Sequence, residues 1–157
     1  MCLKTLPLGI NGNLYRIIHD MYSSTKARVK LQQGMSEEYQ PNVGIRQGDC
    51  LSPLIFNLFI NDLSEDLQNG VSDPVTIGEI SLTHLLFADD LMLMSRSPTG
   101  LQGVLNSLHK YCERWKLNVN LKKTKVIIFQ KYGKKQNICK FTLGEEQIEN
   151  TDTYTYL

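Results

Sequence analysis

"LLFADDLMLM", residues 85–94, sets two adjacent carboxylates, Asp89 and Asp90, inside an otherwise apolar run. The run reads as two short strands on either side of a tight turn at Ala88-Asp89-Asp90. Aspartate is a favoured turn residue whose side chain can bond its own backbone, so the pair is open to two readings, an ordinary hairpin tip or a cation site. The flanking strands are nearly continuous apolar runs, which predicts a hairpin buried on both faces. A buried carboxylate without a partner is costly, and the cation then becomes the economical reading. Hard oxygen ligands select Mg²⁺ or Mn²⁺, and Mg²⁺ takes one or two carboxylates together with substrate phosphates and water. Successive residues of extended backbone point in opposite directions, so Asp89 and Asp90 need not share one role.

Upstream of this turn, "DCLSPLIFNLFINDLSEDLQNG" predicts one long helix. Ser52 stands at the N-cap and Pro53 at the first helical position, Leu54, Ile55, Leu58, Phe59, Leu63 and Leu67 form one apolar side, and Gly70 closes the helix at its C-terminal end. Further upstream, Leu14, Ile17, Ile18 and Met21 have the spacing of a short amphipathic helix. "KARVKLQ" alternates like an exposed strand, and "EEYQPNVGIRQGD" reads as its return strand ending in a glycine-bearing loop. "TIGEISLTHLLF" and "LMLMS" are the strands around the acidic turn. Downstream, Leu101, Leu105, Leu108, Cys112 and Trp115 mark a second amphipathic helix, "KVIIF" a strand, and "FTLGEEQIENTDTYTYL" a further hairpin. Helices alternate irregularly with hairpins, so the expected class is α+β within one domain over 1–157.

The chain has 157 residues, 41% of them hydrophobic, and a formal net charge of +1. No apolar run reaches the roughly 20 residues of a membrane helix. The N-terminal stretch lacks the apolar core and cleavage site of a secretory signal, and an intracellular setting, nuclear or cytoplasmic, is expected. Cys2, Cys50, Cys112 and Cys139 form no C-x-x-C pair and read as free thiols; His19, His84 and His109 are equally scattered. Charge is segregated: Gln47 to Ser95 carries eight acids and no Lys or Arg, and Lys116 to Lys140 carries eight lysines and no acid. Each segment alone is compatible with a solvated face. Together they fit divalent cations held beside a polyanion.

Three blocks in order, "GIRQGDCLSPLIFNLFINDL", "LLFADDLMLM" and "KLNVNLKKTKVIIF", resemble the palm of reverse transcriptases, nearest to those of non-long-terminal-repeat (LINE-type) retrotransposons. The resemblance covers roughly residues 13 to 157 and implies a palm-like layer of antiparallel strands packed on helices, incomplete at both ends. It implies an RNA-directed DNA polymerase that uses Mg²⁺ (or Mn²⁺), an RNA template, a DNA primer and deoxynucleotide triphosphates. Phe87-Ala88-Asp89-Asp90 matches the family's F/Y-x-D-D box, with Asp89 as the metal-ligating carboxylate and Asp90 as a second acid in less direct contact. Arg46, Gln47 and Gly48 with Ser52 match the block that lies against template and incoming nucleotide. Asp49 stands where many relatives have Cys. Lys123 matches the lysine that can protonate the departing pyrophosphate; its plainer reading is one more solvated lysine.

The resemblance also implies a further bridging Asp on an earlier strand, fingers residues for the triphosphate, and a thumb. None of these is found in the chain, and Asp20 and Asp62 fall on predicted helices. The expectation is a palm segment without its full catalytic set, inactive in isolation. The alternative is a non-catalytic remnant that binds nucleic acid or a protein partner through its lysine-rich stretch.

Overall fold

The computed structural model describes residues 9–41, 44, 46, 48–70, 73–130 and 139–155. The chain divides into two compact units, residues 1–61 and 62–157.

In the first unit, helix α1 (Gly12–Ser23) follows an extended Asn11. Its expected apolar stripe is only partly covered: Ile18 and Met21 are half-buried, whereas Leu14 and Ile17 are exposed. Strands β1 (Lys30–Leu31) and β2 (Gly34–Met35) form a tight antiparallel hairpin, so the return strand comes earlier than the sequence suggests. Of "EEYQPNVGIRQGD", Tyr39 alone pairs, in a bridge with Ala27, and residues 42, 43, 45 and 47 lie outside the described set. Helix α2 (Ser52–Phe59) closes the unit, its last turn completed when the Ile60 N–H donates to the Phe56 carbonyl at 3.0 Å.

The single long helix expected from Ser52 to Leu67 is two helices. Helix α3 (Leu63–Gln68) starts afresh after Asp62, on the far side of the boundary between the units. Asn and Asp side chains compete with helical hydrogen bonding, and the Asp62 carboxylate accepts a 2.7 Å bond from the Tyr111 hydroxyl. Gly70 is not a left-handed cap. A methyl group on it would meet the Ser107 side chain and the Gly103 carbonyl, and one on Gly103 would meet the Gly70 carbonyl.

The second unit is built on helix α4 (Pro98–Trp115). Ser97 caps it, accepting the Gly100 N–H at 3.2 Å; Pro98 occupies the first turn; and Lys116 ends the helix in a left-handed conformation, φ 56°. Val104, Leu105, Leu108, Tyr111 and Cys112 form its buried side. Leu67 of α3, 0% exposed, and Ile148, 1% exposed, belong to the same core. Removing a side chain of that kind costs about 2–5 kcal/mol, enough to threaten a marginally stable fold. Trp115 is half-buried with its ring 6.4 Å from that of Tyr111.

The strands form small sheets and no continuous layer among the described residues. Where one strand was expected over "TIGEISLTHLLF", Gly78 takes φ 61° and turns the chain, giving the hairpin β3 (Val75–Ile77) and β4 (Ile80–Leu82) before the next strand. Strands β5 (His84–Phe87) and β6 (Asp90–Leu93) form the next hairpin. The last sheet has order β7-β9-β8, with β7 (Lys125–Val126), β8 (Phe141–Leu143) and β9 (Glu146–Asn150). The β8–β9 hairpin is the one expected near the C-terminus. Only the first two residues of "KVIIF" are strand, and they pair with β9 in parallel. Helix α4 packs against α3, β6 and β8. The architecture is α+β, with helices and small, mostly antiparallel sheets.

Candidate active site and nucleic-acid interface

The acidic turn is where the sequence puts it. Phe87 pairs with Asp90, which leaves Ala88 and Asp89 as a two-residue loop. Ala88 takes φ 52°, a left-handed conformation that costs a residue with a Cβ roughly 1–2 kcal/mol. Strain of this kind persists only where the surroundings impose it, and it clusters at functional sites. The consequence is that Asp89 stands at the tip of the turn and Asp90 opens strand β6.

The hairpin is not buried on both faces. Leu86, Leu91 and Leu93 are half-buried, whereas Leu85, Phe87, Asp90 and Met92 are exposed, with Phe87 at 78%. Alternation follows from the period of two in extended backbone, with α4 touching β6 on one side. The carboxylates therefore face solvent and need no buried counter-charge. Among the described residues no three His, Cys, Asp or Glu side chains converge where they could hold a metal ion. Two solvent-facing carboxylates remain a fitting donor set for Mg²⁺, which takes few protein ligands and completes its shell with water and phosphate.

At the base of the hairpin the His84 ring lies between two hydroxyls, with Nε2 2.9 Å from Ser64 Oγ and Nδ1 2.9 Å from Thr83 Oγ1. Burial holds this imidazole below its usual value. Lys123 occupies the turn between α4 and β7; its N–H donates to the Asn120 carbonyl at 3.0 Å and its side chain is exposed. The Tyr154 hydroxyl donates to the Lys123 carbonyl at 3.1 Å, which anchors the turn.

The other candidate block lies in the first unit. Gly48 has φ 83° with open space where a Cβ would be, so a side chain there would be strained and the backbone stands accessible. Gln47 lies outside the described residues. Ser52, expected as the N-cap, is instead the first helical residue and is 3% exposed. Leu51 is the N-cap and no side chain caps the helix; Asp49 instead closes the turn before it, its Oδ1 accepting the Leu51 N–H at 3.1 Å and its carbonyl the Ser52 N–H at 3.2 Å.

One residue that the sequence did not single out holds this block together. The Tyr22 hydroxyl donates to Asp49 Oδ2 at 3.1 Å and lies 3.0 Å from Ser52 Oγ, while its ring sits 5.2 Å beneath the Arg46 guanidinium. The Leu51 N–H above all, with Tyr22, Arg46 and Ser52, holds the Asp49 carboxyl below its usual value against the opposing effect of burial.

Phe87-Ala88-Asp89-Asp90 thus share one hairpin, and Arg46, Gly48 and Ser52 share one loop and helix start. A profile of the family described as "Reverse transcriptase (RNA-dependent DNA polymerase)" matches residues 5–157. The chain belongs to the reverse transcriptase family. Its relatives are more particular. The Retrovirus-related Pol polyprotein from type-1 retrotransposable element R2 of Nasonia vitripennis is 27% identical over 98% of this chain and 15% of its own length. That from type-2 retrotransposable element R2DM of Drosophila melanogaster is 30% identical over 78% and 12%. The probable RNA-directed DNA polymerase from transposon BS of Drosophila melanogaster is 27% identical over 70% and 12%. The resemblance to non-long-terminal-repeat elements carried by the three motif blocks therefore holds along the chain. The chain spans 12% to 15% of the length of these relatives. No helix among the described residues is long and apolar enough to cross a membrane.

Proposed function

We propose that this chain contributes the palm of an RNA-directed DNA polymerase of a retrotransposon, which adds deoxynucleotides to a primer 3′ end on an RNA template. The observation that carries this reading is the strained two-residue turn presenting Asp89 beside Asp90, in a chain of the reverse transcriptase family. Asp89 and Asp90 would hold Mg²⁺ (or Mn²⁺), and a bound metal supplies charge stabilisation for the attacking and departing oxygens. In the reaction the primer 3′ oxygen loses its proton and forms a bond to the α-phosphorus as the bond to pyrophosphate breaks. Lys123 donates a proton to that leaving group. Arg46, Gln47 and Gly48 meet the template strand and the incoming nucleotide, and Phe87 and Ala88 serve as further substrate contacts on the acidic hairpin. Ser52 serves them as an anchor, since its hydroxyl is engaged with Tyr22.

In isolation the chain is inactive, because groups that act as a unit lose most of their effect when one is missing. No third carboxylate joins Asp89 and Asp90 among the described residues. Two measurements test this. Primer extension on an RNA template by the folded chain with Mg²⁺ is expected to give no product, and extension abolished by Asp89→Ala would overturn the inactivity. Substituting the chain for its counterpart in the Nasonia vitripennis relative is expected to give extension that Asp89→Ala abolishes. A folded, inactive hybrid would count against the polymerase reading.

A second reading rests on the eight lysines between Lys116 and Lys140, of which Lys116, Lys122, Lys123 and Lys140 are exposed. It makes the chain a nucleic-acid-binding remnant. Binding that weakens steeply with salt and is indifferent to Asp89→Ala, together with an inactive hybrid, would favour it.

A further inference from the structure

We propose that Tyr22 is a positioning residue that fixes the Arg46 guanidinium for contact with a nucleic-acid phosphate. This rests on the reading that the Arg46 block meets nucleic acid. The guanidinium is constrained on two sides. Its Nε donates to Thr25 Oγ1 at 2.9 Å, and Nη2 donates to the same oxygen. Thr25 Oγ1 in turn donates to the Met21 carbonyl at 3.1 Å, in the last turn of α1, where the helix carries its negative end. The Tyr22 ring closes one face at 5.2 Å. Nη1 meets no partner among the described residues, so one edge with two donors remains for an anion. A planar guanidinium held this way is suited to a phosphodiester oxygen, because the geometry is set before the ligand arrives.

The ring is itself held from the opposite end. Its hydroxyl donates to Asp49 Oδ2 and adjoins Ser52 Oγ, and Ser52 is buried at the start of α2. Asp49 also accepts the Leu51 N–H, which ties it to the same helix start. Tyr22 therefore links α1, Arg46, Asp49 and the start of α2. It would touch no nucleic acid itself, and its effect passes through Arg46.

The test is binding of a fluorescein-labelled RNA–DNA hybrid to the full 157-residue chain across a salt series, with thermal melting followed for every variant. Arg46→Ala is expected to weaken binding about tenfold and to lower the slope of log affinity against log salt by about one. Tyr22→Leu is expected to give the same fall in slope, and the double variant no further loss. Tyr22→Phe keeps the ring under the cation but loses its hold on Asp49, and is expected to give a slope between those of wild type and Tyr22→Leu. Should Tyr22→Leu fail to fold, Thr25→Val, which releases the guanidinium edge without touching the ring, must lower the slope for the proposal to stand. A wild-type slope in folded Tyr22→Leu, or losses that add in the double variant, overturns the positioning role and leaves the Arg46 contact intact. If Arg46→Ala itself changes neither affinity nor slope, the reading of the block fails and the proposal with it.

Discussion

Gly103 of α4 faces the Gly70 carbonyl so closely that a methyl group built on Gly103 would lie 2.7 Å from that oxygen, and one on Gly70 would lie 2.9 Å from the Gly103 oxygen. Two glycine backbones meet here, with the Ser107 side chain also against Gly70. Glycine inside a helix ordinarily costs about 0.5–1 kcal/mol relative to alanine, so Gly103→Ala on an open helix would stabilise. The contact reverses the sign. Gly103→Ala is expected to destabilise by about 1–3 kcal/mol, read from the urea midpoint, and a more stable variant would show that the helices separate at little cost.

Tyr111 is the polar hinge of the same unit, buried on α4 with its hydroxyl on Asp62. Burial first, then the hydrogen bond to Asp62 and the nearby acids, hold its proton far above the usual tyrosine value of 10.0. The unfolded chain releases that proton near pH 10 and the folded chain does not, so stability is intact below that pH and falls as pH rises beyond it. The loss is expected to reach about 1.4 kcal/mol per pH unit from this residue. Tyr111→Phe removes that dependence and costs about 1–3 kcal/mol at neutral pH. Denaturant titrations of both proteins at neutral and alkaline pH measure each part.

His84 gives the opposite slope. Its folded value lies below the usual 6.5, so acid protonates the unfolded chain first. Stability from this residue is present above that pH and is lost as pH falls below it. The urea midpoint is expected to drop between neutral pH and about pH 5, and His84→Asn to lack that share of the drop. Equal acid sensitivity in the variant would assign the effect elsewhere.

Ala88 supplies a test of strain at the acidic turn. Glycine adopts φ 52° without penalty, so Ala88→Gly is expected to raise stability by up to about 1 kcal/mol after the entropy of the unfolded chain is counted. Ala88→Val is expected to lower it, since a branched residue is poorly accommodated there. Chemical denaturation of the three proteins decides, and a Gly variant weaker than wild type would mean the turn is not strained.

The features legible in the sequence are those set locally. The Leu101-to-Trp115 spacing of α4, the turn at Ala88-Asp89 and the β8–β9 hairpin each depend on residues a few positions apart. The break between α2 and α3 was not legible, because apolar spacing from Leu54 to Leu67 runs through Asn61-Asp62 without interruption. Asp62 finds its partner Tyr111 49 residues away. Tyr22 escaped notice for the same reason, since Asp49 and Ser52 lie 27 and 30 residues further on. Burial of the β5–β6 hairpin was overestimated because an apolar strand records what a face can cover, not whether anything covers it.

Strand β9 lies between β7 and β8 although it is made after both. The side of α4 that meets β8 is therefore clad only once the ribosome has passed Ile148. At roughly 5–20 residues per second, the finished helix waits several seconds for its cover during synthesis. The side of α4 that meets α3 can be covered first, and its β8 side stands open to aggregation through this nascent interval.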